Sequence, residues 1–174
     1  MINRRPLKAT SRAPPSVVRK VGVVVNSLND VQFMQGAIEL LTRLGIDTNI
    51  HILNAHVQPH DVTLFAQNAR SNHVSAILCC EAHMASVIAS NTTLPVIGVP
   101  TSDGHVELFL KMSVGVPVGV VAIDNSTNAG MYVAQMLSIF DNTISDKLDT
   151  FRVNQYNELR SLNNTVSRVS CNIL

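Results

Sequence analysis

The chain of 174 residues contains no tryptophan, and aromatic residues make up only 4% of it. Stacking platforms for single-stranded nucleic acid need several exposed rings, so that class is excluded. Charged residues are sparse at 14% against 46% hydrophobic, which excludes an intrinsically disordered chain. No apolar run approaches the ~20 residues that cross a bilayer. Cysteine is confined to Cys79, Cys80 and Cys171. Adjacent Cys79 and Cys80, inside an apolar run, read as buried thiols, neither a disulfide framework nor a metal site, and point to a reducing compartment. Asn-x-Ser/Thr matches at Asn91, Asn125 and Asn163 follow no secretory signal, so glycosylation is set aside.

Acidic residues are missing from the N-terminus, where the first is Asp30. Arg4, Arg5, Lys8, Arg12, Arg19 and Lys20 precede it, leaving seven of the thirteen basic side chains to face all twelve acids in the rest of the chain. Residues 1–19 form a basic, Pro/Arg-rich arm with three readings: a solvated tail, an organellar targeting segment, or an arm that touches nucleic acid or an acidic partner. Pro6, Pro14 and Pro15 interrupt the amphipathic helix of a targeting segment. The expected location is the cytoplasm or an organellar (mitochondrial) matrix. Nucleic acid contact, if any, is confined to the arm.

From residue 20 onward the pattern alternates. Lys20–Asn26, a short continuous β-branched run, reads as a strand buried on both faces, and Thr48–Leu53, Ser75–Cys80, Pro95–Val99 and Pro117–Ile123 read as further strands. Between them lie helical patterns: Asp30, as cap, to Leu44 with Gly45 as stop, then Pro59–Ser71, Ala82–Ser90 and Val106–Lys111. Ser126 is expected to cap a helix over Thr127–Phe140, and a last amphipathic helix is expected over Ile144–Leu162. Five βα units in series predict a single α/β domain of flavodoxin-like type at 20–140. It would hold a five-stranded parallel sheet in the order 2-1-3-4-5, with helices on both faces. A C-terminal helix (141–162) and a tail (163–174) follow.

Ligands of such sheets bind beyond the carboxyl ends of the strands, where the strand order reverses. The loops to examine are therefore Asn26–Asp30, Asn54–His60 and Cys80–His83. None contains glycine, which excludes a dinucleotide fingerprint and a P-loop. A phosphoacceptor receiver is excluded too, since the third strand ends in Cys80-Glu81 and the fifth in Asp124-Asn125. Read from the residues alone, His56 is an acid/base or a hydrogen-bonded loop histidine, and His83 is a ligand contact or structural. Ser27 and Asp30 are ligand contacts or a helix cap and its neighbour. Glu81 is a partner for His83 or a solvated acid. His51, His60, His73 and His105 read as surface or turn residues, and Met34, Met84, Met131 and Met136 as helix-face packing.

Asn26-Ser27-Leu28-Asn29-Asp30, Asn54-Ala55-His56-Val57-Gln58-Pro59, Glu81-Ala82-His83 and Leu94-Pro95-Val96-Ile97-Gly98-Val99-Pro100 follow one another as in the aminoimidazole ribonucleotide carboxylase family, whose common bacterial form is the N5-carboxyaminoimidazole ribonucleotide mutase. The sequence resembles that family over roughly residues 20–160. The resemblance implies a homo-octamer with shared sites and an imidazole ribonucleotide ligand. It also implies that a carboxylate moves from N5 to C4 of that imidazole in purine synthesis, with neither metal nor organic cofactor. His56 takes the place of the histidine that shuttles the proton at C4, a task suited to imidazole with its ordinary pKa near 6.5. Ser27 and Asp30, with Asn26 and Ala55 beside them in their loops, match ligand-binding positions, and His83 fills the histidine position of the third loop.

Departures from the pattern accompany the matches. Asn26 replaces a glycine, Asn29 a serine, and Val57 the arginine that grips the phosphate; the third loop is shorter and lacks its paired glycines. One charge-assisted hydrogen bond to phosphate contributes about 1.5–3 kcal/mol, so Val57 implies roughly 10- to 150-fold weaker binding. The sequence reading thus favours a catalytically impaired relative kept as an oligomeric scaffold or subunit of a larger assembly. Its alternatives are an active mutase or carboxylase, or a binder of a nucleoside-like ligand without phosphate.

Overall fold

The computed structural model describes residues 20–101 and 106–171; the arm, His105 and residues 172–174 lie outside the described residues. Five strands form one parallel sheet in the order β2-β1-β3-β4-β5. They are β1 (Lys20–Val25), β2 (Asp47–Ile52), β3 (Val74–Cys79), β4 (Val96–Gly98) and β5 (Gly119–Val120). β1 lies inside the sheet, between β2 and β3, because the side chains of Val21, Val23, Val24 and Val25 have no polar atom to present to water, and all four are fully buried. Its register pairs Val23 with Ile50 on one side and with Leu78 on the other.

Two helical layers cover the sheet. On one face lie α1 (Val31–Leu44), α5 (Ser126–Ser138) and the start of α6 (Asn142–Cys171), sharing a core of Val23, Leu40, Leu78, Val133 and Ile144. On the other lie α2 (Pro59–Asn68), α3 (Ala82–Asn91) and α4 (Val106–Leu110), packed around Val24, Ile77, Met84 and Ile88. Gly45 ends α1 with φ of 75°, a left-handed conformation that only glycine adopts without strain. Met34 and Met84 are fully buried, and Met131 and Met136 pack against the first core. The expected flavodoxin-like architecture is the one observed.

Four local expectations give way to the structure. Asp30 occupies the cap position of α1 but makes no side-chain cap bond. A 3-10 turn over Leu28–Asp30 already places it in helical geometry (φ −76°, ψ −13°), where a capping residue is ordinarily extended. At α5 the cap is Asn125, whose side chain accepts from Asn128 N–H at 3.0 Å. Ser126 is instead the buried first residue, and its Oγ accepts from Ala37 N–H at 3.3 Å. β5 is only two residues long: its partner β4 ends at Gly98, and Pro117 has no N–H to donate. α6 runs past Leu162 to Cys171, because no glycine or proline interrupts residues 142–171.

Candidate functional site

All five strands point the same way, so the loops after β1, β2 and β3 gather at one edge of the sheet. The order reverses between β1 and β3, where the two connections leave toward opposite faces and open a crevice. A cavity of about 160 Å³ lies there. Asn26 and Asp30 line it from the first loop, Cys80, Glu81 and Ala82 from the third, and Phe33, Thr101, Leu108 and Phe109 complete the wall.

The first loop leaves β1 with Ser27 extended (φ −147°, ψ 166°), and Asp30 N–H returns to Ser27 O at 3.2 Å. Asn26 and Asp30 thus face the cavity, while Ser27 is half-buried and not part of its wall. The second loop is an Asx turn: Asn54 Oδ1 accepts from His56 N–H at 2.9 Å and from Val57 N–H at 3.1 Å. That turn drives the Ala55 methyl into the core and leaves the side chains of His56 and Val57 in solvent.

The third loop is organised by Glu81. Its two carboxylate oxygens accept from His83 N–H at 2.8 Å and Met84 N–H at 2.6 Å, capping α3. Glu81 is therefore neither a partner of the His83 ring nor a free solvated acid. The two capped turns bring His56 and His83 together, with ring centroids 4.4 Å apart and planes 20° from parallel. Neither histidine is among the residues that line the cavity; the pair is joined to it through the backbone of Glu81 and Ala82, the wall residues that directly precede His83.

Cys80, read from the sequence only as a buried thiol, is also a cavity-lining residue. It is the first residue of the third loop, directly after β3, and burial, reinforced by the charge of Asp30, pushes its thiol up to about 11. It is thus a neutral hydrogen-bonding group at pH 7, not a nucleophile. Its neighbour Cys79 points into the opposite core, where burial pushes the thiol up still further. His51 is not a simple surface residue either: its ring meets Phe65 at 4.6 Å, and burial lowers its pKa. His73 is the expected turn residue, with φ of 64°.

Among the described residues, the cavity wall carries two carboxylates, Asp30 and Glu81, and no lysine or arginine. Described cations are engaged or placed elsewhere: Lys111 pairs with Glu107 at 3.0 Å, Lys147 donates to Leu44 O at 2.8 Å, and Arg70 donates to Thr93 at 3.1 Å. Among the described residues, no group of three His, Cys, Asp or Glu side chains could hold a metal ion. No described helix is long and apolar enough to cross a membrane. The arrangement offers a small crevice with hydrogen-bonding groups on its wall and two imidazoles, outside that wall, for proton transfer.

Comparison with known proteins covers the same part of the chain. The family model described as AIR carboxylase matches residues 20–158. The N5-carboxyaminoimidazole ribonucleotide mutase of Aquifex aeolicus is 36% identical over 138 residues, covering 74% of this chain and 83% of that protein. The mutase of Thermotoga maritima is 37% identical over 142 residues, covering 76% and 83%. The phosphoribosylaminoimidazole carboxylase of Saccharomyces cerevisiae is 33% identical over 80% of this chain, which spans only 26% of that longer protein. Among solved structures, Treponema denticola PurE superposes with a TM-score of 0.73 at 18% identity, covering 82% of this chain and 95% of that one, a likeness of fold. With the family model matched over residues 20–158 and relatives 36–37% identical over about three quarters of the chain, the chain belongs to the AIR carboxylase family.

Proposed function

We propose that this chain takes an aminoimidazole ribonucleotide at the β1–β3 crevice and that His56 carries the proton in a carboxylate migration, the chemistry for which its mutase relatives are named. The observation that carries this reading is the placement of His56, held by the Asn54 turn and stacked on His83, which directly follows the wall residues Glu81 and Ala82. In the reaction the N5–carboxylate bond breaks, a bond from that carbon to C4 forms, and the proton leaving C4 ends on N5. A single imidazole can accept and return that proton, so the balance needs no other reactant. Asp30, Asn26 and Cys80 line the crevice as hydrogen-bonding groups for the ligand's polar edge. Turnover of the N5-carboxylated ribonucleotide tests the proposal: His56→Asn is expected to lower kcat by ~100-fold or more. Equal turnover by both proteins refutes the role of His56.

A second reading has its own support. Val57 is 78% exposed where the family pattern has a phosphate-binding arginine, and the cavity wall is acidic. On that reading the chain is an impaired relative that serves as a scaffold, or it binds a nucleoside-like ligand without phosphate; no turnover by the wild type, with tighter binding of the nucleoside than of the ribonucleotide, would favour it. Either way we infer a homo-oligomer. α6 presents Val153, Tyr156, Leu159 and Leu162, each more than half exposed, and sedimentation at a monomer mass would refute that inference.

A further inference from the structure

We infer that Glu81 is a positioning residue for His56 and acts through His83. The inference rests on the reading of His56 as the proton carrier and adds a residue to its machinery. The two imidazoles belong to separate loops, and each is tethered by its own upstream side chain. Asn54 Oδ1 binds His56 N–H at 2.9 Å, and Glu81 Oε1 binds His83 N–H at 2.8 Å. In both cases the acceptor lies two residues before the histidine. Glu81 is the stronger tether, because its second oxygen binds Met84 N–H at 2.6 Å and charge-assisted bonds hold more tightly than neutral ones. Met84 is fully buried in the core, so that bond references the His83 backbone to the rigid part of the molecule.

The consequence concerns His56. His56 is exposed, and among the described residues no polar side-chain contact fixes its ring; the face of His83, 4.4 Å away and nearly parallel, is its one ring contact there. An exposed imidazole free to rotate loses most of the benefit of placement, whereas one stacked on an anchored ring keeps its nitrogens in a defined plane. Glu81 sets where the first turn of α3 begins, that turn sets the His83 ring, and the His83 ring sets His56. In a loop without glycine, this cap also replaces the backbone freedom that would otherwise shape the connection.

The experiment uses the full chain and two readouts. In proton NMR, stacking displaces the His56 ring resonances through the ring current of His83. Glu81→Ala is expected to abolish that displacement, as His83→Ala does, and Glu81→Asp, which retains a capping carboxylate, to restore part of it. Glu81→Ala made in the His83→Ala background should add nothing. In turnover, Glu81→Ala should lower kcat roughly 10- to 100-fold with little change in KM. Should Glu81→Ala fail to fold, Glu81→Gln, which removes one of the two acceptors, carries the same readouts. An unchanged His56 spectrum in the folded Glu81 variant, or an equal effect without His83, overturns the inference. The spectrum is read whether or not the protein turns over, so failure of the proposed reaction is distinguished from failure of the positioning role.

Discussion

Restoring a cation at position 57 is the sharpest perturbation of the site. Val57 projects into solvent at 78% exposure, and its N–H stays bound to Asn54 Oδ1 whatever side chain it carries. Val57→Arg therefore costs no packing and leaves the turn intact. One charge-assisted bond to a phosphate contributes about 1.5–3 kcal/mol, and ordering a free arginine side chain takes back up to about 2 kcal/mol. The net is about 1 kcal/mol, a five- to tenfold tighter ribonucleotide complex. Isothermal titration of wild type and Val57→Arg with the ribonucleotide and the matching nucleoside measures it. The gain should appear for the ribonucleotide alone and shrink as salt is raised, because the added pair is solvent-exposed. Equal affinities for the ribonucleotide in the two proteins, or the same gain for the nucleoside, would refute the argument that position 57 faces a phosphate.

Three further outcomes follow from the packing and the buried groups. A Cβ at Gly98 would run into the Phe109 ring, which also walls the cavity, so Gly98→Ala should destabilise the fold by about 1–3 kcal/mol, lowering Tm by roughly 3–10 °C, and weaken ligand binding; an unchanged melting curve contradicts this. The Cys80 thiol is raised from 9.0 to about 11, so the stability tied to its neutral form is complete below pH 9 and is lost as pH climbs through 11; urea midpoints should fall over that window and fall less steeply in Cys80→Ala, and parallel slopes would count against it. Burial lowers His51, so its contribution is present above its ordinary 6.5 and is lost as pH falls below it; His51→Gln should flatten the acid limb of the stability curve.

Much of the fold was legible because short strand-like runs alternate with helical patterns and the stops are chemically explicit. KVGVVV can only be a strand buried on both faces, and Gly45 terminates α1 as its left-handed geometry requires. Boundaries failed where partners decide them. β5 is cut to two residues by the short β4, and α6 outruns its amphipathic segment because no residue breaks it. At the site, the first loop that the topology singled out does supply Asn26 and Asp30 to the cavity wall, but the ring that meets His56 was not legible. The stacking of His56 on His83 joins residues 27 positions apart, and the Glu81 cap looks in sequence like any exposed acid. Cys80 could have been found by strand alternation: adjacent residues face opposite sides, so one member of the Cys79-Cys80 pair had to turn toward the crevice layer.

The central claim is that the crevice between β1 and β3 seats the ligand's imidazole with His56 in reach. Soaking crystals of the protein with the ribonucleotide tests it without reference to turnover. The account predicts imidazole density between Asp30 and the His56–His83 pair, with a His56 ring nitrogen near the ligand's C4. Density at another surface with the crevice empty, at a ligand concentration that saturates binding in solution, would contradict it.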